Sequence, residues 1–240
     1  MGFIGYSTGS IAFSDYKKAL TELEKHIEII NAVELSALRE TELEPLVNDL
    51  DALDLSGYKY VSFHAPSALK TLSEKEAVEL LKIPAEKNMN IILHPDVIKD
   101  YSLWKEFGGR LLIENMDKRK PIGRTLDEMD IIFNELPDAN LCFDIAHSRQ
   151  VDPSMYEAKI LLKKYGCKLK QIHISEVNSQ SRHVRLSLET ILAFTKAADL
   201  IPADTPVIIE SPVKENEISI EISNALKALK RVEPEFDFTK

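Results

Sequence analysis

The sequence predicts a (β/α)8 TIM barrel, an α/β fold in which eight parallel strands form a closed barrel inside a ring of helices. Eight short apolar runs alternate with helical patterns along the whole chain. Dividing 240 residues among eight strand–helix units gives 30 residues each, close to the size of such barrels. The turn at residues 5–10 lacks the glycine fingerprint typical of the competing open, doubly wound sheet. We therefore expect one TIM-barrel domain over residues 1–240.

The apolar runs predict buried strands. Most are rich in Val, Ile, Leu or Phe and too short for helices, which is typical of strands covered on both faces of a parallel sheet. The predicted strands are residues 3–8, 32–38, 58–64, 90–94, 110–115, 140–145, 170–176 and 206–211.

Capping residues mark where the helices begin. Ser73 with Glu76, and Thr125 with Glu128, have the spacing of capping boxes. Pro153 just inside one helix and Gly166 at its end follow the usual asymmetry of helix termini. The predicted helices occupy residues 16–26, 42–53, 73–81, 100–107, 125–136, 152–166, 187–200 and 217–232.

Composition excludes several classes of protein. The chain has 30 Lys and Arg against 39 Asp and Glu, a net charge of −9. This acidic balance disfavours nucleic acid as the main partner, because binding a duplex requires cations that neutralise phosphates; a local basic patch remains compatible with it. No apolar run approaches the length of a membrane helix, so no membrane partner is expected. Two cysteines exclude a disulfide framework, and we expect a cytoplasmic protein.

Histidines collect at the predicted carboxyl ends of the strands. Only His26 lies elsewhere, on the first helix, where we assign it no role. A single histidine at a strand end is often a buried rim residue, but five at one end of one barrel are hard to attribute to chance. The five are His64, His94, His147, His173 and His183.

Three carboxylates occupy matching places. Glu114, Asp144 and Glu210 each interrupt an apolar strand near its carboxyl end, and in a parallel barrel all these ends open on one face. A lone buried carboxylate is costly unless it is paired or bound to metal. Carboxylate and imidazole ligands suit zinc, manganese, iron or cobalt. We expect a divalent metal site of Glu114, Asp144, Glu210 and His173.

The remaining histidines and several arginines are candidates for metal or substrate. His64, His94 and His147 could bind either, and His183 could join them. Arg149, Arg182 and Arg185 could hold a phosphate or carboxylate of a substrate, or could be solvated charges. Glu34 and Arg39 could line the rim, although a surface pair explains them equally well.

The order of these motifs resembles the xylose isomerase-like TIM-barrel superfamily, which includes sugar phosphate isomerases and epimerases and the endonuclease IV enzymes. The resemblance covers nearly the whole chain. Each matching piece is weak alone, and together they point to the superfamily without selecting a member. The pieces are His64-Ala65-Pro66, His94-Pro95, Glu114-Asn115, Asp144-Ile145-Ala146-His147, His173, Arg182-His183 and Glu210-Ser211-Pro212.

The isomerase and epimerase branch implies one divalent metal ion on Glu114, Asp144, His173 and Glu210. In that branch the two glutamates remove and return a proton beside a carbonyl. The resemblance further implies that His147 and an arginine orient the substrate. His64, His94, Arg182 and Arg185 are the substrate-binding candidates.

The endonuclease branch implies up to three zinc ions at the same rim. His64, His94 and Glu114 would form one site, the four ligands named above a second, and His147 with His183 part of a third. That third site usually has an Asp two residues before its last histidine, where this chain has Ser181.

On this basis the sequence favours a metal-dependent isomerase or epimerase that acts on a small carbohydrate-like substrate. The alternatives are an endonuclease IV-like phosphodiester hydrolase and a barrel that binds metal or ligand without turnover. We expect one Zn, Mn or Co ion, or up to three in the hydrolase. The sequence leaves open whether the protein forms a homo-oligomer.

Overall fold

The computed structural model describes residues 2–231 and has the predicted architecture. Eight parallel strands form a closed barrel in which neighbours in sequence are neighbours in space, and the last strand pairs with the first to close it. The fold class predicted from the sequence is therefore confirmed. The barrel strands are β1 (Ile4–Ser7), β2 (Ala32–Ser36), β3 (Tyr60–His64), β4 (Asn90–Leu93), β5 (Leu111–Glu114), β6 (Asn140–Asp144), β7 (Leu169–Ile174) and β10 (Val207–Ile209).

Helices cover the outside of the barrel. Short 3-10 turns lie at residues 50–52, 95–97, 105–110, 166–168 and 215–217. The α-helices are α1 (Thr8–Ile11), α2 (Tyr16–Glu24), α3 (Glu40–Asp49), α4 (Glu74–Glu86), α5 (Tyr101–Trp104), α6 (Leu126–Glu135), α7 (Ile145–Val151), α8 (Tyr156–Tyr165), α9 (Leu188–Ala198) and α10 (Ile218–Ala228). Within residues 2–231, none of these helices has the length and apolar character of a membrane-spanning segment.

The structure confirms the predicted helix termini only in part. The capping box of Ser73 and Glu76 is formed as predicted. Thr125 caps α6, but the carboxylate of Glu128 binds the backbone N–H of Arg124, so the predicted second box is incomplete. The predicted helix at 152–166 begins only at Tyr156, because the Asp152 carboxylate accepts hydrogen bonds from the intervening turn. The last predicted helix ends at Ala228, and residue 232 lies outside the described residues.

Two elements that carry histidines on the site face had no counterpart in the prediction. Helix α7 begins directly at the end of β6, where the Asp144 side chain accepts a hydrogen bond from the His147 backbone N–H. A two-stranded antiparallel ribbon, β8 (Glu176–Val177) and β9 (His183–Val184), follows β7. Both elements lie beyond the carboxyl ends of the strands and carry histidines toward that end.

Candidate metal centre

The carboxyl ends of the barrel strands carry the predicted metal ligands. His64, Glu114 and Asp144 end β3, β5 and β6, respectively. His173 lies one residue before the end of β7, and Glu210 directly follows β10. Except for Glu210, these side chains belong to residues that are at most 2% exposed. The barrel geometry thus brings together at one rim groups that are up to 146 residues apart in sequence.

The other three histidines of the group complete this rim. His94 directly follows β4, and His147 lies in the first turn of α7. The β8–β9 ribbon brings His183 over the centre, where the Ser175 hydroxyl lies 2.7 Å from His183 Nδ1. His147 is buried, whereas His94 and His183 are partly exposed. The exposed edge of the cluster therefore consists of imidazoles that a substrate could reach.

Asn115 locks the ends of β5 and β6 together. Its side-chain oxygen accepts a hydrogen bond from the Asp144 backbone N–H, and its side-chain amide donates to the Asp144 carbonyl, both at 2.8 Å. Its own carbonyl oxygen lies 3.0 Å from His147 Nδ1. These contacts place the Asp144 and His147 side chains beside Glu114 at the rim.

The Glu114 carboxylate faces imidazoles on both sides. Its Oε2 lies 3.3 Å from Nε2 of His64 and 3.3 Å from Nε2 of His94. Its Oε1 lies 3.5 Å from Nδ1 of His173 and 3.4 Å from Nδ1 of His147. A carboxylate whose two oxygens point to two different sets of ligands has the arrangement of a group that bridges two metal sites.

Three groups of side chains have the spacing of metal ligands. Within each group, the potential ligand atoms all lie within 4.8 Å of one another. A fourth, overlapping combination contains Glu34 with His64, His173 and Glu210. The three groups are His64, His94 and Glu114; Glu114, Asp144, His173 and Glu210; and Asp144, His147 and His183.

Unsatisfied polar atoms show that this donor set fits a cation. Oδ2 of Asp144, Nδ1 of His173 and Oε2 of Glu210 are buried and have no hydrogen-bond partner. Buried polar atoms are nearly always paired in folded proteins, so each orphaned atom requires an explanation. All three belong to one of the ligand groups, and a divalent cation would satisfy them together.

The pKa values of Glu114 and Glu210 shift in opposite directions. Burial alone would raise the pKa of Glu114, but the His173 and His94 rings outweigh burial and hold that pKa well below its usual value. Burial, against the opposing effect of His173, raises the pKa of Glu210 well above its usual value, and the Glu114 carboxylate adds to the rise. A bound divalent cation would favour the ionised form of both.

A cavity of about 480 Å³ opens above the cluster. Three cationic side chains line it, but two are engaged: Arg119 pairs with Asp117 and Lys120 pairs with Asp96. Arg182 has no ion-pair partner among residues 2–231. The cavity therefore offers an anionic ligand one uncommitted guanidinium beside the cluster.

The other predicted arginines lie differently. Arg185 pairs with Glu217 and is not among the residues that line the cavity. Arg149 pairs with Glu189 and donates to Thr190, beside a neighbouring cavity of about 350 Å³. Neither side chain contacts the ligand groups directly in this arrangement.

The position of Glu34 differs from one of the two that the sequence left open. We considered a surface pair with Arg39 equally good, and that explanation is wrong because Glu34 is completely buried inside the barrel. Its Oε2 lies 2.9 Å from Nε2 of His173. Strand alternation could have revealed this, since Val33 and Leu35 pack in the main hydrophobic core and Glu34 must face the opposite side.

Ser181 does not replace the missing carboxylate of the third group. Its hydroxyl donates a hydrogen bond to the Gln150 side chain at 2.7 Å. Asp144 offers a carboxylate to this group, because one of its oxygens lies within 4.8 Å of the potential ligand atoms of His147 and His183. The group thus has three candidate ligand residues without a residue at position 181.

Solved structures share this fold at low sequence identity. Endonuclease IV from Thermus thermophilus is 18% identical with a TM-score of 0.60, over 96% of this chain and 99% of that one. The 3-keto-D-glucoside 4-epimerase YcjR from E. coli is 13% identical with a TM-score of 0.60, over 97% and 100%. A protein from Anabaena variabilis described as a sugar phosphate isomerase/epimerase is 14% identical with a TM-score of 0.60, over 93% and 88%.

No protein-family model matches the chain, and no curated protein matches it. The likeness to these solved structures shows that they share the TIM-barrel fold of this chain. The similar structures include both an endonuclease and an epimerase, so the activity must be argued from the side chains of this chain.

Proposed function

We propose that this protein is a metal-dependent hydrolase of phosphate esters, with two or three divalent ions at the carboxyl end of the barrel. The observation that carries the proposal is the orientation of Glu114, whose oxygens are divided between the His64–His94 pair and the group containing His173. Pairs of ions held close together are typical of phosphoester hydrolysis. A site for one ion would leave His64 and His94 without a ligand role.

The ligand residues would be those of the three groups defined above. Their nitrogen and oxygen donors, with no thiolate, suit zinc, manganese or cobalt. Ions bound there would polarise the phosphoryl oxygens and make hydroxide available near neutral pH. The burial of Glu114, Asp144 and His173 keeps bulk water from competing for the donor atoms.

The chain's own side chains would bind and orient the ester. Arg182 is the uncommitted cation of the cavity, and its guanidinium can hold two oxygens of a phosphate. His183 lies at the same opening, beside Ser175. If only the first two ligand groups hold ions, its other ring nitrogen can donate to or accept from the substrate. Phe13 also lines the opening and is 59% exposed, so it offers an apolar surface to the remote part of the substrate.

A small substrate fits this site better than a nucleic acid. The cavity of about 480 Å³ is within the size range of small-molecule pockets. The net charge of −9 opposes the extended phosphate contacts that duplex binding requires. We therefore propose a phosphate ester of a small, sugar-like molecule as the substrate class.

A one-ion isomerase or epimerase is the second candidate. The presence of both Glu114 and Glu210 in one ligand group supports it, because two carboxyl groups beside one ion can serve as a base and an acid. The two residues could then remove and return a proton beside a carbonyl. In this case Glu114, Asp144, His173 and Glu210 would hold the ion, while His147 and Arg182 would orient the substrate.

The deciding experiment combines metal content with two substrate panels. Protein purified without chelator is analysed by plasma mass spectrometry, then assayed with bis(p-nitrophenyl) phosphate, p-nitrophenyl phosphate, sugar phosphates and an abasic-site duplex. Deuterium exchange into ketoses and ketose phosphates tests proton transfer. Two or three ions per chain with ester hydrolysis would support the hydrolase; cleavage of the duplex alone would contradict the small-substrate proposal.

The His94→Asn variant separates the two candidates. For the hydrolase we expect loss of one ion and of ester cleavage, because His94 belongs only to the first ligand group. His26→Asn is the matched control, since His26 lies outside all the ligand groups. One ion per chain in the wild type, with deuterium exchange that survives in His94→Asn, would favour the isomerase. No bound ion after reconstitution would contradict both.

A further inference from the structure

The barrel interior beneath the metal centre is unusually polar. The interior of a TIM barrel is normally filled by branched apolar side chains. Here the apolar cluster inside the barrel consists of Ile92, Leu112 and Cys142. Buried polar side chains occupy the adjoining positions, among them Glu34, Ser62 and Gln171. Such a composition is costly for folding unless the polar groups serve one another or the site above them.

Glu34 is the centre of this polar cluster. Its Oε2 accepts hydrogen bonds from Nε2 of Gln171 at 2.7 Å and from the Ser62 hydroxyl at 3.3 Å. Gln171 is itself held, because its Oε1 accepts a hydrogen bond from the Tyr60 hydroxyl at 2.8 Å. Side chains from β3 and β7 thus hold this β2 carboxylate in a single position.

The fixed carboxylate faces one ring nitrogen of His173. Nε2 of His173 lies 2.9 Å from Oε2 of Glu34 and 2.7 Å from the side-chain nitrogen of Gln171, which donates to the same carboxylate oxygen. An ionised carboxylate only accepts hydrogen bonds, so a hydrogen bond between His173 and Glu34 places the proton on Nε2. A neutral imidazole carries one N–H, so Nδ1 of His173 is then left with a free lone pair. Nδ1 is buried without a hydrogen-bond partner, 3.5 Å from Oε1 of Glu114 and 3.5 Å from Oε1 of Glu210.

We propose that Glu34 is a positioning residue that holds His173 with its proton on Nε2, so that Nδ1 is available to the metal ion shared by Glu114, Asp144 and Glu210. This inference rests on the metal centre of the proposed function. A histidine that binds a metal usually donates its second ring N–H to a carboxylate or carbonyl, and loss of such a partner weakens metal binding about 10- to 100-fold. The role explains why a carboxylate is buried at this depth.

Direct coordination by Glu34 is the competing arrangement. Glu34, His64, His173 and Glu210 also lie within 4.8 Å of one another, and Oε1 of Glu34 has no hydrogen-bond partner. The two arrangements differ in what a substitution removes. Loss of a ligand removes a bound ion, whereas loss of a positioning residue leaves the number of ions unchanged and lowers their affinity.

The test compares the same substitution, Glu to Gln, at two buried positions. Glu34→Gln removes the charge at similar size, and Glu221→Gln does the same at a carboxylate of α10 that is equally buried and binds the Leu186 backbone N–H. Zinc affinity and stoichiometry are measured by competition with a chromogenic chelator. The visible absorption of the cobalt-loaded proteins reports the ligand field, which a general loss of stability would not alter in the fully loaded state.

We expect Glu34→Gln to bind zinc about 10- to 100-fold more weakly with unchanged stoichiometry and an altered cobalt spectrum, and Glu221→Gln to match the wild type. Unchanged affinity in Glu34→Gln would overturn the inference, as would the loss of one ion or an equal weakening in both variants. A wild type that binds no metal would instead contradict the proposed function.

A measurement on the wild type covers the case in which Glu34→Gln does not fold. Nitrogen chemical shifts of the imidazoles in the zinc-loaded protein distinguish protonated, free and metal-bound ring nitrogens. The inference requires a proton on Nε2 and metal on Nδ1 of His173, assigned by the loss of its signals in His173→Asn. Metal on Nε2 would overturn it.

Discussion

The two ends of the barrel carry cavities of similar size that differ in the burial of their charged side chains. At the amino ends of the strands, a cavity of about 540 Å³ is lined by apolar residues such as Ile4 and Ile201, and its Asp199 is a solvated partner of Lys230 with a side chain 75% exposed. At the carboxyl ends, the cavity of about 480 Å³ includes Glu114, which is 1% exposed.

This difference shows that cavity volume alone does not identify the candidate functional site. Solvated charges such as Asp199 cost little, whereas each buried ionisable group must be offset by a partner. At the carboxyl ends the buried groups converge on one point and leave donor atoms unpaired. At the amino ends Asp199 and Lys230 pair in solvent, and Arg231 donates to backbone carbonyls. Function at one end and stability at the other are the expected division in a TIM barrel.

The largest expected effect is that of removing the shared carboxylate. Glu114→Gln should lower ester hydrolysis on the order of 100- to 1,000-fold and reduce the metal content, because Glu114 belongs to two ligand groups. Metal content and turnover are measured on the same preparation. Asp199→Asn is the control at the other end and should change neither. Full metal content in Glu114→Gln would contradict the bridging role.

At the amino end, the expected effect is on stability. Ile4→Ala should cost about 2–5 kcal/mol of unfolding free energy, because the buried Ile4 side chain packs in the main core. Chemical denaturation measures the loss, and metal content at low temperature should equal that of the wild type. A marked loss of metal from the folded variant would mean that the two ends are coupled, against the division described above.

The strands and the ionisable residues at their ends could be predicted from the sequence. An apolar run indicates a buried strand, and a His or acidic residue that ends the run indicates a polar group at the strand's carboxyl end. Glu114 and Asp144 were placed correctly at strand ends on that basis. The β8–β9 ribbon could not be predicted, since strands of two residues have no periodicity. Helix α7 was missed because it begins inside an apolar run that continues from β6.

The contacts of Glu34 illustrate a different limit of prediction from the sequence. Glu34 and His173 are 139 residues apart, and they meet only because the closed barrel directs β2 and β7 side chains to a common interior. Sequence alternation alone indicates which side of the strand a residue faces. Which residues meet there depends on the stagger of the strands, which includes an irregularity between Leu141 and Cys142. A single sequence carries no direct record of that stagger.

Two arginines at the carboxyl end of the barrel, Arg182 and Arg185, differ in whether they line the cavity. Arg182→Gln should raise KM for a phosphate ester about 10- to 100-fold, because a charge-assisted hydrogen bond contributes about 1.5–3 kcal/mol. The turnover number should change much less. Arg185→Gln is the matched control, since Arg185 is engaged with Glu217 outside the cavity. Equal effects of the two substitutions would mean that the cation at the opening is not specifically used.

The smallest expected effect concerns a surface carboxylate at the rim. Glu40, the first residue of α3, accepts hydrogen bonds from the backbone N–H groups of Lys70, Leu72 and Thr71 in the loop after β3. These hydrogen bonds lower the pKa of Glu40 from 4.5 to about 2. A lowered folded-state pKa means that the ionised carboxylate stabilises the fold above about pH 4.5, and that this contribution declines as the pH falls toward 2.

Glu40→Gln should therefore lower the urea midpoint at pH 7 and have progressively less effect between pH 4.5 and 2. The difference between variant and wild type isolates this carboxylate from the metal ligands, whose own protonation is common to both proteins. Glu79→Gln, at an exposed carboxylate of α4 that pairs with Lys82, is the control and should produce no comparable change with pH. A difference for Glu40→Gln that stays constant down to pH 2 would mean that the ionised form of the carboxylate is not what holds the loop. Charge would then matter at the rim only where it is buried, as it is at Glu114.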